Sequence, residues 1–308
     1  MSGVLNALIP VLLVIAAGHV VARMGLITGD QWRGIEKITY FLLFPAIIIS
    51  NVARTDFMAL PAFGMSATLV LSILAMAVLG LALQPLLKRA FAIDGPRFTS
   101  IFQGAIRWNT FVALAIADEL LGADGVALLA VAIVAMVPLL NVICVLVLSR
   151  FASGSAPGAR KLILDLLKNP FIWSTGLGLA LNVSGLPLPG FAWSTLTILG
   201  SAALPIGIVC VGAGLDLNAL RRPGPALTTA TLLKLLVMPA FGVLFASLIG
   251  LDGPARIAVL IALSVPSAGG SFLLARQMGG DAKLMAEILT LQTLAAALTM
   301  PLVLLLAV

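Results

Sequence analysis

Long apolar stretches separated by short polar segments follow one another along the whole chain. Ten of them approach the length of about 20 residues that a helix needs to cross a bilayer. Strands of a membrane barrel would alternate apolar and polar positions over roughly 10 residues, and the sequence lacks that pattern. An all-α integral membrane protein is therefore predicted. Its spans are expected at residues 3–23, 34–53, 62–87, 98–120, 125–149, 170–185, 191–215, 226–250, 255–277 and 284–306.

The composition excludes a soluble fold and gives no sign of catalysis. Of the 308 residues, 61% are hydrophobic and 10% are charged, whereas about 25% of the residues in a soluble domain are charged. Cys144 and Cys210 both lie in predicted spans, so neither a disulfide framework nor a metal site is expected. Nucleotide-binding loops, nucleophile elbows and zinc-protease motifs do not occur in the sequence. We therefore expect neither an enzyme nor an ATP-driven pump, and no cofactor.

The net charge of +6 comes mainly from the predicted loops. Of the 18 lysines and arginines, only Arg107 and Lys234 lie well inside spans, and an outer N-terminus leaves only Arg54 and Arg256 at outer ends or loops. Basic residues concentrate in the cytoplasmic loops of membrane proteins. Both termini are therefore predicted to lie outside, and membrane topology rather than a nucleic-acid partner explains the charge.

The two halves of the chain resemble each other. When the sequence is aligned with itself at an offset of 160 residues, Pro10 matches Pro170 and Pro45 matches Pro205. We predict a first five-helix repeat at 1–150, a cytoplasmic linker at 151–169 and a second five-helix repeat at 170–308. Because each repeat has an odd number of spans, the second must be inverted in the membrane, as in many secondary transporters.

The fourth and ninth predicted spans carry signs of interruption at their centres. The fourth contains R-W-N-T, and the ninth contains V-P-S-A-G-G-S, in which proline and glycine weaken a helix. A simple proline kink is the alternative. We expect the two interrupted helices to cross near the midplane and to build a substrate site. Its candidate residues are Arg107, Asn109, Thr110, Pro266, Ser267, Gly269, Gly270 and Ser271.

Arg107 is the most informative of these residues. It lies roughly 15 Å from the inner end of its span, near the centre of a hydrocarbon core about 30 Å thick. Charges at that depth pair with another group or face a cavity, and a guanidinium matches a carboxylate with two parallel hydrogen bonds. The alternative to substrate binding is a buried ion pair with Asp118 or Glu119.

Several other polar residues lie within spans. Gln103, Asn141, Gln292 and Thr293 can act as polar support or together form a small cation site, although each alone is more typical of a helix–helix hydrogen bond. Lys234 is interpreted as an interfacial anchor or an ion-pair partner, for example of Asp216. The single histidine, His19, is interpreted as a packed, hydrogen-bonded residue.

Several motifs resemble the bacterial branch of the auxin efflux carrier family, and the likeness extends over essentially the full chain. They are TGDQWRGIEKITYFLLFPA at 28–46, AALPIGIVCVGAGL at 202–215, KLLVMP at 234–239 and PSAGGSFLLAR at 266–276. The resemblance implies a scaffold of spans 1, 2, 6 and 7, and a transport domain of spans 3–5 and 8–10 that moves like an elevator. Asn109, Thr110 and Pro266 match the family's crossing point. The proline that commonly follows in the fourth span is absent from 112–117, which predicts a less sharp break there.

The expected function is secondary or facilitative transport of small organic anions across a bacterial inner membrane. The resemblance implies monocarboxylates or dicarboxylates such as malonate or malate, or auxin-like weak acids. A membrane sensor on the same fold and a carrier of neutral solutes are the alternatives. The coupling ion, Na⁺ or H⁺, remains open, and a homodimer through the scaffold helices is one arrangement that fits.

Overall fold

The computed structural model describes residues 2–54, 61–152, 164, 170–186, 188–215, 217 and 223–305. Regular structure in these ranges is helical, without β-strands. Most of the predicted linker at 151–169 lies outside the described residues, and so does Asp216.

The described helices fall on the apolar stretches of the sequence. They are α1 Ser2–Arg23, α2 Gly29–Val52, α3 Ala62–Phe91, α4 Gly95–Ile106, α5 Thr110–Leu121, α6 Ala123–Phe151, α7 Pro170–Ser184, α8 Gly190–Ala213, α9 Pro225–Ile249, α10 Gly253–Ser264, α11 Gly270–Met278 and α12 Ala282–Leu305. In the described part of the chain, six helices are long and apolar enough to cross a membrane, namely α2, α3, α6, α8, α9 and α12. The fourth predicted span is divided into α4 and α5, and the ninth into α10 and α11.

The start of α4 follows from the motif Asp94-Gly95-Pro96. Asp94 accepts a hydrogen bond from the Arg97 amide at 2.9 Å and so caps the helix. Pro96 lies in the first turn, where its missing amide hydrogen is not needed. A Cβ atom on Gly95 would lie 1.9 Å from the Phe151 carbonyl oxygen, so only glycine allows α4 to begin against the end of α6.

Two helices contain a wider, π-helical turn immediately before a proline. The turn at Thr39–Leu43 precedes Pro45 in α2, and the turn at Leu233–Val237 precedes Pro239 in α9. In a regular helix the proline ring clashes with the carbonyl group four residues earlier. The wider turn relieves that clash and also frees carbonyl groups for other partners.

Four helices form one closely packed group. α1 crosses α8 with their backbones in contact, since a Cβ atom on Gly212 would lie 1.9 Å from the Ile15 carbonyl oxygen and one on Gly18 would lie 2.1 Å from that of Val209. α2 packs against α7 and α8. α1 and α8 also contact α5, and α1 contacts α12, which joins this group to the broken spans.

Candidate functional site

The two interrupted spans meet at their breaks. After α4, Arg107 and Asn109 have extended backbone angles before α5 begins at Thr110. After α10, Val265 is extended and α11 begins only at Gly270. The Asn109 amide donates a hydrogen bond to the Pro266 carbonyl oxygen at 2.8 Å. The fourth span is therefore fully interrupted, and the less sharp break predicted from its missing proline is wrong because an extended segment, rather than a proline, ends α4.

Asn109 holds the start of α5. Its Oδ1 atom accepts hydrogen bonds from the amides of Phe111 at 3.1 Å and Val112 at 3.3 Å. The side chain thus satisfies two of the amides that every helix N-terminus leaves without a partner. Thr110 is the half-buried first residue of α5.

The break in the ninth span is anchored by Gln292 of α12. Gln292 Oε1 accepts from the Ser267 amide at 3.0 Å, while Nε2 donates to the carbonyl oxygens of Gly104 at 3.0 Å and Ala230 at 3.1 Å. This fully buried side chain therefore ties α4, α9, α12 and the break together.

The serines of the break are also hydrogen-bonded to their surroundings. Ser267 Oγ donates to the Gln103 carbonyl oxygen at 3.4 Å and lies 3.2 Å from Ser271 Oγ. Both serines are buried. Gly269 precedes α11 and Gly270 begins it, so the amides of the first turn of α11 lie beside these hydroxyl groups.

The remaining polar residues singled out from the sequence have different surroundings. Gln103 is buried, and both atoms of its side-chain amide lack hydrogen-bond partners among the described residues. Asn141 is half-buried in α6. Thr293 donates to the Leu289 carbonyl oxygen of its own helix at 2.7 Å. Gln292 Oε1 already accepts a hydrogen bond from the Ser267 amide, so this oxygen stabilises the backbone of the break.

Arg107 has no carboxylate partner in the described part of the chain. Its guanidinium lies against the Cys144 thiol of α6 and within electrostatic range of the Tyr40 hydroxyl of α2. Nη1 is buried without a hydrogen-bond partner among the described residues. Asp118 and Glu119, the proposed alternative partners, are exposed near the end of α5 and form no ion pair with it.

The start of α11 adds to the positive potential around Arg107. Nη2 lies 3.7 Å from the point that a Cβ atom on Gly270 would occupy. The N-terminus of a helix carries a partial positive charge and unpaired amides, which favour an anion. The guanidinium and the helix end therefore present hydrogen-bond donors to the same region.

The sequence profile of the family described as "Membrane transport protein" matches residues 3–304. The chain belongs to this family. The resemblance to the auxin efflux carriers is thereby confirmed. A protein of Methanothermobacter thermautotrophicus named "Uncharacterized transporter" is 21% identical over 303 residues, which cover 97% of each chain. With its long apolar helices, this member of the family is a multi-pass membrane protein.

A small apolar pocket lies on one side of the transporter's crossing point. Pro266 and Thr293 also line the pocket. The Pro266 carbonyl group belongs to the junction of the two breaks. The other lining residues are Val11, Leu12 and Ile15 of α1, Val112 and Ile116 of α5, and Ala296, Ala297 and Met300 of α12.

An aromatic stack lies between α2 and α5 in this transporter. The rings of Phe44 and Phe111 lie nearly parallel, with 4.4 Å between centroids and 13° between planes. A Cβ atom on Gly207 of α8 would lie 3.0 Å from the Phe44 ring, so glycine leaves room for the stack.

Lys234 does not behave as an anchor at the membrane surface. Its side chain is 0% exposed, and Nζ has no partner among the described residues. The expectation that it reaches the interface is therefore wrong, because the π-helical turn of α9 directs it into the protein interior. His19 lies in α1 near the α8 crossing, and its Nδ1 atom lacks a hydrogen-bond partner among the described residues.

Sequence reasoning missed Tyr40 and Cys144 beside Arg107. They come from helices α2 and α6, and no short-range pattern connects them to residue 107. Tyr40 is the only tyrosine of the transporter and lies within a span, which was the one available signal. In the sequence, Cys144 is indistinguishable from an ordinary small apolar residue of a span.

Proposed function

We propose that the protein is a secondary or facilitative transporter of small organic anions. The observation that carries this proposal is the guanidinium of Arg107, which lies in the break of an apolar span without a carboxylate partner among the described residues. A charge at the centre of a span costs at least about 2.5 kcal/mol on insertion scales. That cost is offset when a bound carboxylate completes the hydrogen bonds of the guanidinium.

The other candidate residues complete the proposed site. The amides of Gly269 and Gly270 at the start of α11 and the hydroxyl group of Ser271 complement the charge of the anion. Asn109, Thr110, Pro266 and Ser267 fix the geometry of the two breaks, as their hydrogen bonds and positions support. A monocarboxylate, a dicarboxylate such as malonate or malate, or an auxin-like weak acid satisfies this chemistry.

The proposed architecture has ten transmembrane helices in two inverted five-helix repeats, at 1–150 and 170–308, joined by a cytoplasmic linker at 151–169. Both termini are periplasmic, in a bacterial inner membrane. The close packing of α1, α2, α7 and α8 supports a scaffold. The bonds from Gln292 support the movement of α3 to α6 and α9 to α12 as one unit in an elevator-type mechanism. Two copies would associate through the scaffold.

The test is thermal stabilisation of the purified protein by a panel of acetate, malonate, malate, succinate and indole-3-acetate, with and without Na⁺. A ligand that binds only the folded state stabilises it by about 2.7 kcal/mol at a concentration 100 times its Kd. We expect one class of carboxylate to raise the melting temperature of the wild type and to have a much smaller effect on Arg107→Ala.

Two further variants and one alternative outcome sharpen this test. Arg107→Lys keeps the charge but loses the planar pair of donors, so it should retain part of the shift. Arg97→Ala, which removes an exposed arginine at the start of α4, should retain all of it. Stabilisation by neutral solutes but by no carboxylate would contradict the anion proposal.

A further inference from the structure

Lys234 lies fully buried in the protein interior. The π-helical turn at Leu233–Val237 of α9 contacts α4, α10 and α12. The side chain is 0% exposed, and Nζ has neither a hydrogen-bond nor an ion-pair partner among the described residues. Lysines are almost never fully buried unless they are paired. Packing alone therefore does not account for a lysine at this position.

The charged residues of the surrounding helices are engaged elsewhere or lie at a distance. They are Arg97 in α4, Arg256 in α10, and Lys283 and Glu287 in α12, while α9 itself carries no other charged residue. Arg97 approaches Asp281 at 4.0 Å and Arg256 approaches Asp252 at 3.7 Å. Gln292 is the residue of α12 that bonds to α9. Glu287 precedes it by five residues, so the two side chains point about 140° apart around α12.

The low polarity around Lys234 determines which form of the side chain is favoured. Burial disfavours the charged ammonium group, whereas a nearby negative charge favours it. Proton binding at Nζ therefore depends on whether an anion lies nearby.

Hydrogen bonds and the Pro266–Ser267 peptide linkage connect the helical turn before Lys234 to the crossing point. Ala230, one helical turn before Lys234, accepts from Gln292 Nε2 at 3.1 Å. Gln292 Oε1 accepts from the Ser267 amide at 3.0 Å, and the adjacent Pro266 carbonyl group accepts from Asn109 at 2.8 Å. A change in the break on anion binding therefore reaches α9 through side chains and backbone that are already in contact.

We propose that Lys234 binds the proton that crosses the membrane together with the organic anion. This inference rests on the proposed function and names its coupling ion. Because Nζ is fully buried in this state, its lone pair takes a proton only when the transport movement opens a path to the aqueous phase on the side open to substrate. The bound anion stabilises the resulting ammonium group, and the proton returns to water on the opposite side after the anion leaves. Only an N–H bond forms and breaks in this cycle.

The experiment uses proteoliposomes that contain a trapped pH dye, with the membrane potential held at zero. The substrate is the carboxylate whose stabilising effect depends on Arg107, and diffusion of the weak acid is subtracted with protein-free liposomes. The wild type should acidify the lumen during uptake. If one proton accompanies each monoanion, an inward proton gradient of one pH unit should sustain about a tenfold higher anion concentration in the lumen than outside.

Two substitutions of Lys234 separate coupling from folding. Lys234→Met cannot bind a proton and Lys234→Arg cannot release one, so both should exchange labelled for unlabelled anion across the membrane without lumenal acidification. Accumulation driven by the pH gradient should disappear in both. Lys283→Met, which removes an exposed lysine at the start of α12, should behave like the wild type.

Each other outcome overturns the inference in a recognisable way. Acidification by Lys234→Met, or anion uptake by the wild type without acidification, would exclude Lys234 as the coupling site while leaving anion transport intact. Loss of exchange in both variants with unchanged melting temperatures would place Lys234 in the anion site itself. Failure of every carboxylate to be transported by the wild type would overturn the proposed function as well.

Discussion

At the scale of single residues, Arg107, Trp108 and Asn109 occupy the same break but have different surroundings. Arg107 lies near Gly270 and Cys144 and within electrostatic range of Tyr40. Trp108 is buried, and Asn109 caps α5. The position of the arginine within a span was predictable, because charge in an apolar segment is conspicuous. Its neighbours were not, because they come from helices far away in the chain.

Removal of the Asn109 cap should destabilise the start of α5. We expect Asn109→Ala to lower the free energy of unfolding by about 1 kcal/mol, because two amides lose their acceptor. Asn109→Ser should restore most of the loss, since serine is also a favoured capping residue. Melting temperatures of the two variants test this, and equal destabilisation by alanine and serine would show that the cap does not matter.

At the scale of helices, the sequence predicts most of the boundaries because their causes are local. The capping residue Asp94 and the prolines of the first turns mark helix starts, and apolar stretches mark the spans. The π-helical turns were not foreseen, although Pro45 and Pro239 supply their cause. The contacts of Gln292 with three other segments could not be predicted either, since hydrogen bonds between distant helices leave no periodic pattern.

Gln292 should be important for the stability of the broken spans. Gln292→Met leaves the Ser267 amide and the carbonyl groups of Gly104 and Ala230 without this partner, and each buried polar group left unsatisfied costs about 1–3 kcal/mol. We expect a large fall in melting temperature. Thr293→Val, which removes a hydroxyl bonded only within its own helix, should have a much smaller effect, and similar losses in both variants would contradict the role of Gln292.

Contact between the backbones of α1 and α8 requires glycine at a particular position. Gly212→Ala would place a methyl group 1.9 Å from the Ile15 carbonyl oxygen, whereas Gly214→Ala would meet no backbone atom closer than 3.6 Å. Overpacking of this kind typically costs about 1–3 kcal/mol. Thermal unfolding should therefore show destabilisation by the first substitution only, and tolerance of both would mean that the two helices separate easily.

At the scale of the whole molecule, helices of the proposed scaffold pack on one another and meet the broken spans at a limited interface. The stack of Phe44 on Phe111 and the contacts of α1 with α5 and α12 lie in this interface. Assignment to a membrane transport family follows from motifs spread over the whole chain. The direction and extent of the proposed movement do not follow from sequence pattern, because they depend on contacts between helices that are distant in the chain.

A covalent link across the proposed sliding interface should block transport without abolishing binding. In a Cys210→Ser background, we expect crosslinking of Phe44→Cys with Phe111→Cys by a short thiol reagent to stop carboxylate uptake, while ligand-induced thermal stabilisation remains. As controls, the two single variants, Phe44→Cys and Phe111→Cys, should keep carboxylate uptake after treatment with the same reagent. Uptake that persists after crosslinking of the pair would contradict elevator movement at this interface.

The central claim, that Arg107 binds the carboxylate, is tested most directly by the fluorescence of the adjacent residue Trp108. The other tryptophans, Trp32, Trp173 and Trp193, are replaced by phenylalanine, and the protein is titrated with the stabilising carboxylate. Truncation of one partner in a buried charged pair costs about 2–5 kcal/mol, and each 1.4 kcal/mol is a tenfold change in Kd. We predict saturable binding that weakens about 30-fold or more in Arg107→Ala and less in Arg107→Lys. An unchanged Kd in Arg107→Ala would contradict the claim.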